Sequence, residues 1–241
     1  MEKLILLTAL IPIAALAYFV YYKDRNKPEP IGQLAKAFLF GVLSVFVSLC
    51  ISLPLGYLGL YQEEPTGLIE CVRSAFLSAA IPEEVAKFVM LWLLLRKNKY
   101  FDEHMDGIVY AAYVSLGFAA LENILYLFEA DDFLQVGLMR AIFAVPGHFC
   151  YGVLMGYYYS LVRFSPELRE RSKKLVLLVP ILLHGIYDAL LFSLPAVPVI
   201  VSVAFFLLFI VFCVMMWRYT THRVNEHLQR DYEEDRVGTE E

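Results

Sequence analysis

The sequence predicts an all-α fold, a polytopic bundle of about seven transmembrane helices. Of the 241 residues, 59% are hydrophobic and 19% are charged, so the chain is too apolar to cover itself with a wettable surface. Apolar runs of roughly 20 residues, the length that crosses a bilayer, recur along the chain. We therefore expect a multi-pass protein whose environment is the lipid bilayer, and nothing in the composition indicates binding to nucleic acid.

The predicted spans follow one another through short loops. The first is interpreted as an uncleaved span rather than a signal peptide, because the small-residue site at residues 15–17 lies inside the apolar run and basic residues follow that run. The predicted spans are residues 4–22, 34–57, 67–95, 107–128, 133–164, 175–194 and 199–217.

Charged residues at the ends of these spans predict their orientation. Basic segments follow every second span, at residues 23–27, 96–99, 163–174 and 218–223, whereas the two longer loops on the other side are acidic, at residues 63–64 and 129–132. Because Lys and Arg are enriched on the cytoplasmic side of membrane proteins, we expect the N-terminus outside and the C-terminus in the cytoplasm.

Domain organisation is predicted to be simple. Residues 1–221 form a single transmembrane helical domain, and residues 222–241 form a polar cytoplasmic tail, a short helix or frayed end without a task of its own. Four cysteines lie in apolar segments without the spacing of a metal site, which is typical of small buried residues. Pairing of Cys50 with Cys71 stays open.

The third span carries three charged side chains, Glu83, Glu84 and Lys87, in an otherwise apolar stretch. Each ionised group near the middle of a bilayer costs roughly 3 kcal/mol on insertion scales, so these groups need partners. On a helix, Lys87 is three residues from one carboxylate and four from the other, and can reach either. Pro82 removes a backbone hydrogen bond just before them, which favours a kink or local opening.

Three further polar groups of residues occur in the next three spans. The fourth span contains Glu122 and Asn123, the fifth contains His148, and the sixth contains His184 and Asp188 on one helix face. Gly152 and Gly156 follow His148 at four-residue steps and let a neighbouring helix approach. Each group alone is compatible with a structural hydrogen bond or ion pair. Together their insertion cost favours one functional polar cavity, between the midplane and the outer half of the bilayer.

Two carboxylates and two imidazoles without a nucleophilic Ser or Cys are typical of water activation. In this hypothesis the Glu83–Glu84 pair supplies the proton acceptor, and His184, oriented by Asp188, acts as base or oxyanion stabiliser. The amide of Asn123 is a further candidate donor. A Zn²⁺ site formed by His148, His184 and a glutamate such as Glu84 is an alternative, although no HExxH motif is present and no cofactor is required by the chemistry.

These motifs resemble those of a known family. The segments are EExxK at residues 83–87, FAxxEN at residues 118–123, then His148, and HGxxD at residues 184–188. Over a motif core of residues 78–190 they resemble the PrsW intramembrane protease family, which is related to the CAAX prenyl endopeptidases and their bacterial relatives, the CPBP-type membrane proteases. The resemblance implies a multi-pass endopeptidase of a bacterial or archaeal plasma membrane. Its substrate would be a single-span membrane protein, for instance an anti-sigma factor that receives its first cut outside the membrane.

Transferred onto this chain, the resemblance implies that Glu83, Glu84, Glu122 and His184 are catalytic. Lys87, Asn123, His148 and Asp188 would support them, with no metal required. The relatives that cleave prenylated proteins have Arg four residues after the second Glu, where this chain has Phe88, and His where it has Glu122.

These departures argue against a prenylated substrate, so a CAAX-type endopeptidase is an alternative only. A proton-coupled transporter or channel and a non-catalytic scaffold for a single-span partner are alternatives from other functional classes.

Overall fold

The structure, a computed structural model, describes residues 2–240 and the side chains of residues 2–236. Within residues 2–240 there are seven helices and no strand. They are α1 (Glu2–Lys23), α2 (Ile31–Tyr57), α3 (residues 68–95), α4 (His104–Glu129), α5 (Phe133–Phe164), α6 (Arg169–Ser193) and α7 (Val199–Glu240). In the described part of the chain, all of these except α3 are long and apolar enough to cross a membrane. This confirms the predicted polytopic helical bundle.

Helix α3 is the segment with the three charges, and it consists of three pieces. They are Leu68–Ser74, a π-helical turn at Ala75–Ala80, and Ile81–Leu95. Helix α5 is interrupted in the same way by a π-helical turn at Arg140–Ala144.

Both π-helical turns are placed next to a proline. A proline in a helix clashes with the carbonyl group four residues before it. For Pro82 this is the carbonyl of Ser78, which lies in the first π-helical turn. For Pro146 it is the carbonyl of Ile142, which lies in the second. The opening expected at Pro82 therefore takes the form of a π-helical turn, and a second such turn ends four residues before His148.

Helix α4 lies at the centre of the bundle and contacts α1, α2, α3, α5 and α7. Glycines allow its closest crossings. A Cβ atom on Gly156 of α5 would collide with the backbone of Gly107, and one on Gly41 of α2 would collide with the backbone of Val114. The glycine steps after His148 thus bring α4 beside α5, as the sequence predicts.

Helix α7 continues without a break past residue 221. Asp231, only 8% exposed, accepts hydrogen bonds from the backbone N–H groups of His104 and Met105, each at 2.8 Å. Those N–H groups belong to the first turn of α4, where the helix has no carbonyl acceptors of its own for them. The polar end of the chain therefore caps the central helix, which differs from the expectation of a tail without a task.

The cysteines are all free in the described part of the chain, which includes all four of them. Cys71 is buried and its thiol lies 3.3 Å from the carbonyl oxygen of Phe192 in α6. The possible pairing of Cys50 with Cys71 is therefore absent from the structure.

Candidate active site

A cavity of about 320 Å³ lies between the ends of α3 to α7 that the charge pattern places outside. Five of the residues singled out in the sequence contribute to its lining: Glu83, Glu122, His148, His184 and Asp188. Tyr126, Arg140 and Tyr151 add polar groups, and Phe206 and Phe209 of α7 form an apolar wall. Polar residues from four successive helices thus meet in one place, as predicted.

Lys87 connects three of these groups, although its side chain is only 1% exposed. Its ammonium Nζ donates to Oε1 of Glu84 at 2.8 Å, to Oε2 of Glu83 at 3.3 Å and to Nδ1 of His148 at 3.1 Å. It also lies 4.2 Å above the ring of Phe118. All three N–H donors of the lysine are thereby used inside the protein.

The hydrogen bonds of His148 determine which of its nitrogens carries the proton. A lysine ammonium can only donate, so Nδ1 of His148 accepts from Lys87 and Nε2 donates to Oε2 of Glu122 at 2.9 Å. Ser115 of α4 donates to the backbone carbonyl of His148 at 2.6 Å. His148 is therefore a fixed bridge between the lysine and the carboxylate of α4.

His184 lies between carboxylates on both sides. Its Nδ1 is 2.8 Å from Oε1 of Glu84, and its Nε2 is 3.2 Å from Oδ2 of Asp188. The same Nε2 is 4.0 Å from Oε2 of Glu83, and the imidazole stacks on Tyr151 at 4.7 Å between ring centroids. Both nitrogens can donate to these acceptors at once only when the ring carries two protons.

The two glutamates of α3 differ in their access to the cavity. The Glu83 side chain is 11% exposed and belongs to the cavity lining, whereas Glu84 is completely buried and, in the part of the chain that the structure describes, does not. Glu84 instead holds Lys87 and His184 through one oxygen. Its other oxygen, Oε2, has no hydrogen bond partner within the described residues.

Arg140 completes the site and was not recognised from the sequence. Its guanidinium donates to Glu122 and, through Nε, to Oδ1 of Asn123 at 2.5 Å, and it lies 4.1 Å from the ring centroid of Tyr126. An arginine within an apolar run of the fifth span is the signal that could have identified it.

Asn123 has a different position from the one expected. Its amide nitrogen donates to the backbone carbonyl of Ala9 in α1 at 3.2 Å, and its side chain is buried. The amide therefore ties α1 to α4 and holds Arg140, instead of facing the cavity as an oxyanion donor.

Tyr151 is a second site residue that sequence reasoning did not identify. Its hydroxyl is buried without a hydrogen bond partner in the described residues, and the side chain lines the cavity. The signal available in the sequence was its position three residues after His148, on the same helix face.

The donor set fits a metal ion. Two groups of three residues each bring one ligand atom per residue within 4.8 Å of the others. The first group is Glu83, Glu84 and His184, and the second is Glu83, Glu122 and His148. Carboxylate oxygens and imidazole nitrogens are ligands that Zn²⁺ accepts, and Oε2 of Glu84 has no hydrogen bond partner among the side chains and backbone that the structure describes. These groupings share Glu83, whereas the sequence-based set combined His148, His184 and Glu84.

Comparison with known proteins identifies the family. The model of the family described as PrsW family intramembrane metalloprotease matches residues 29–216. A relative named protease PrsW from Clostridioides difficile is 33% identical over 92% of this chain and 90% of its own length. Relatives of the same name from Bacillus subtilis and Geobacillus kaustophilus are 41% and 39% identical, over 76% and 75% of this chain and 79% and 76% of their own lengths. No solved structure matches the chain.

These similarities support a peptidase and do not favour a transporter or a CAAX-type endopeptidase. Together with the apolar helices, they make the protein a multi-pass protein of the cell membrane. The chain belongs to the PrsW family of intramembrane proteases.

Proposed function

We propose that this protease cleaves a single-span membrane protein by direct attack of water on the peptide carbonyl, with Glu83 as the proton acceptor. The observation that carries the proposal is the meeting of acidic and imidazole side chains on one cavity of about 320 Å³ inside the bundle. Glu83 is assigned as the base rather than Glu84 because it contacts the cavity, where water and substrate can enter.

In the first step, the water oxygen bonds to the carbonyl carbon while Glu83 takes a proton from the water. The hydroxyl of Tyr151, which has no hydrogen bond partner within residues 2–236, donates to the oxyanion that forms on the former carbonyl oxygen. His184, held by Glu84 and Asp188, then gives a proton to the leaving nitrogen as the carbon–nitrogen bond breaks. Lys87 acts through the residues it holds and keeps the Glu83 carboxylate oriented.

A divalent metal is compatible with this assignment. It would be held by Glu83 and one of two pairs of residues. These pairs are Glu84 with His184, and Glu122 with His148. When bound, such a metal would make water a better nucleophile and polarise the substrate carbonyl. A metal held by Glu83, Glu122 and His148 would leave His184 free to give its proton and the second oxygen of Glu83 free to accept one.

The anti-sigma factor is the substrate class implied by the motif resemblance. The position of the cavity supports cutting in the outer half of the bilayer, because residues near the acidic ends of α4 and α5 form its rim. If the outer end of a substrate's transmembrane helix unwinds, a peptide bond in that end can reach Glu83 from the outer half of the bilayer.

The experiment is cleavage of single-span substrates, including anti-sigma factors, reconstituted with the protease in liposomes. Wild type is compared with Glu83→Gln, Glu84→Gln, His184→Ala and the surface control Lys173→Met, with and without chelator. We expect cutting by wild type and the control, and loss of cutting in the other variants. Equal cutting by all five proteins would contradict the proposal, and loss of cutting in chelator would assign a required metal.

A further inference from the structure

A second cluster of carboxylates lies at the opposite, basic end of the bundle, outside the active-site motifs. It consists of Asp24 after α1, Glu29 in the loop to α2, Glu103 before α4, and Asp106 in the first turn of α4. Asp24 is 3% exposed, Glu29 6% and Asp106 0%, and the Glu103 side chain is 13% exposed. Acidic groups are thus collected where water can only poorly stabilise their ionised forms.

Part of this cluster is satisfied by the protein. Oδ2 of Asp106 accepts from the backbone N–H groups of Asp102 and Glu103 at 2.8 Å each, and the hydroxyl of Tyr110 donates to Glu29. Lys27 lies 3.2 Å from Oε2 of Glu103. These contacts hold the carboxylates in position.

Two oxygens of the cluster have no partner within the described residues. They are Oδ2 of Asp24 and Oδ1 of Asp106, and both belong to side chains that are almost fully buried. A buried oxygen of an acid without a hydrogen bond is costly and rare in folded proteins. The Glu29 carboxyl group also lies beside that of Asp106, and acids packed together in this way need either a shared proton or a cation between them.

We propose that Asp24, Glu103 and Asp106 bind a hard divalent cation, such as Mg²⁺ or Ca²⁺, at this end of the bundle. One carboxylate oxygen of each residue lies within 4.8 Å of the others. Oxygens that share one such cation at 2.0–2.6 Å are up to about 5 Å apart, so the spacing fits. The donor set is all oxygen, which favours Mg²⁺, Ca²⁺ or Mn²⁺ over Zn²⁺.

The surroundings leave room for the ion and its water. A cavity of about 50 Å³ adjoins the cluster, with Asp24 and Glu103 in its lining. One water occupies about 30 Å³ in the liquid, so the cavity can hold a partly hydrated cation. The bound cation would join the end of α1 to the start of α4, the central helix that carries Glu122.

Thermal unfolding of the purified protein in detergent tests this site. We compare Tm in EDTA with Tm in MgCl₂, CaCl₂ or MnCl₂. At about 100 times Kd, a cation should raise Tm of wild type by roughly 5 °C. The shift should disappear in Asp24→Asn, and Mn²⁺ titrated into wild type should bind at one more site than in that variant.

Control variants separate this site from the active site. His184→Ala and the exposed carboxylate variant Glu170→Gln should both keep the cation-dependent shift. A shift that persists in Asp24→Asn, or is lost in His184→Ala, would overturn the proposal. So would a wild type that none of the three cations stabilises, because protons alone would then satisfy the cluster.

Discussion

Replacing Lys87 by Met is the sharpest test of how the active site is held together. Met has a similar length and no charge, so the change removes the ammonium but retains much of the packing against Phe118. It leaves Glu83 and Glu84 without the ammonium, and Glu84, which is completely buried, keeps only its contact with His184. Removing one partner of a buried ion pair costs about 3–5 kcal/mol. Since about 1 kcal/mol shifts Tm by 2–4 °C in a chain of this size, Tm should fall by roughly 10 °C.

The chain offers a matched control for this substitution. Lys173 and Glu170 have the same three-residue spacing as Lys87 and Glu84, and their atoms are 2.6 Å apart instead of 2.8 Å. Both side chains are more than half exposed, so water screens the pair and Lys173→Met should leave Tm unchanged. The assay is thermal unfolding in detergent, followed by tryptophan fluorescence or circular dichroism.

A double variant completes the test. Combining Lys87→Met with Glu84→Gln removes a negative charge that the lysine ammonium had balanced, so Tm should recover a large part of the loss. The reasoning is refuted if Lys87→Met melts within about 2 °C of wild type, or if the double variant is no more stable than Lys87→Met alone.

The remaining predictions concern the rim of the cavity, the central crossing and the basic end of the bundle. Arg140→Lys cannot contact Glu122 and the neighbouring amide together, so cleavage in liposomes should fall roughly 10- to 100-fold with little change in Tm; unchanged cleavage would contradict this. Gly156→Ala should cost roughly 1–3 kcal/mol in thermal unfolding because its Cβ meets backbone, whereas Gly32→Ala, with open space around it, should not destabilise. Burial raises the pKa of Asp24 from 3.8 to about 8, so in EDTA Tm should fall as pH rises from 4 to 8, and Asp24→Asn should flatten that profile.

Much of this protein could be predicted from local sequence. Apolar runs of bilayer length predicted the helices, and the spacing of Glu83, Glu84 and Lys87 predicted their ion pairs, because neighbours three or four residues apart on a helix must face the same side. The cost of burying charge predicted that the polar groups of separate spans would meet. Pro82 predicted a local opening, since a proline must disturb the helix before it.

Only the tertiary structure decided how the helices are turned toward one another. In that structure Glu83 lines the cavity and Glu84 is buried behind it. Arg140 donates a hydrogen bond to Glu122, and Asp231 caps the first turn of α4. Such contacts join residues from 18 to 127 positions apart. They depend on the relative rotation and closeness of packed helices, which glycine crossings and side-chain volumes determine together, and no local spacing along the chain contains that information.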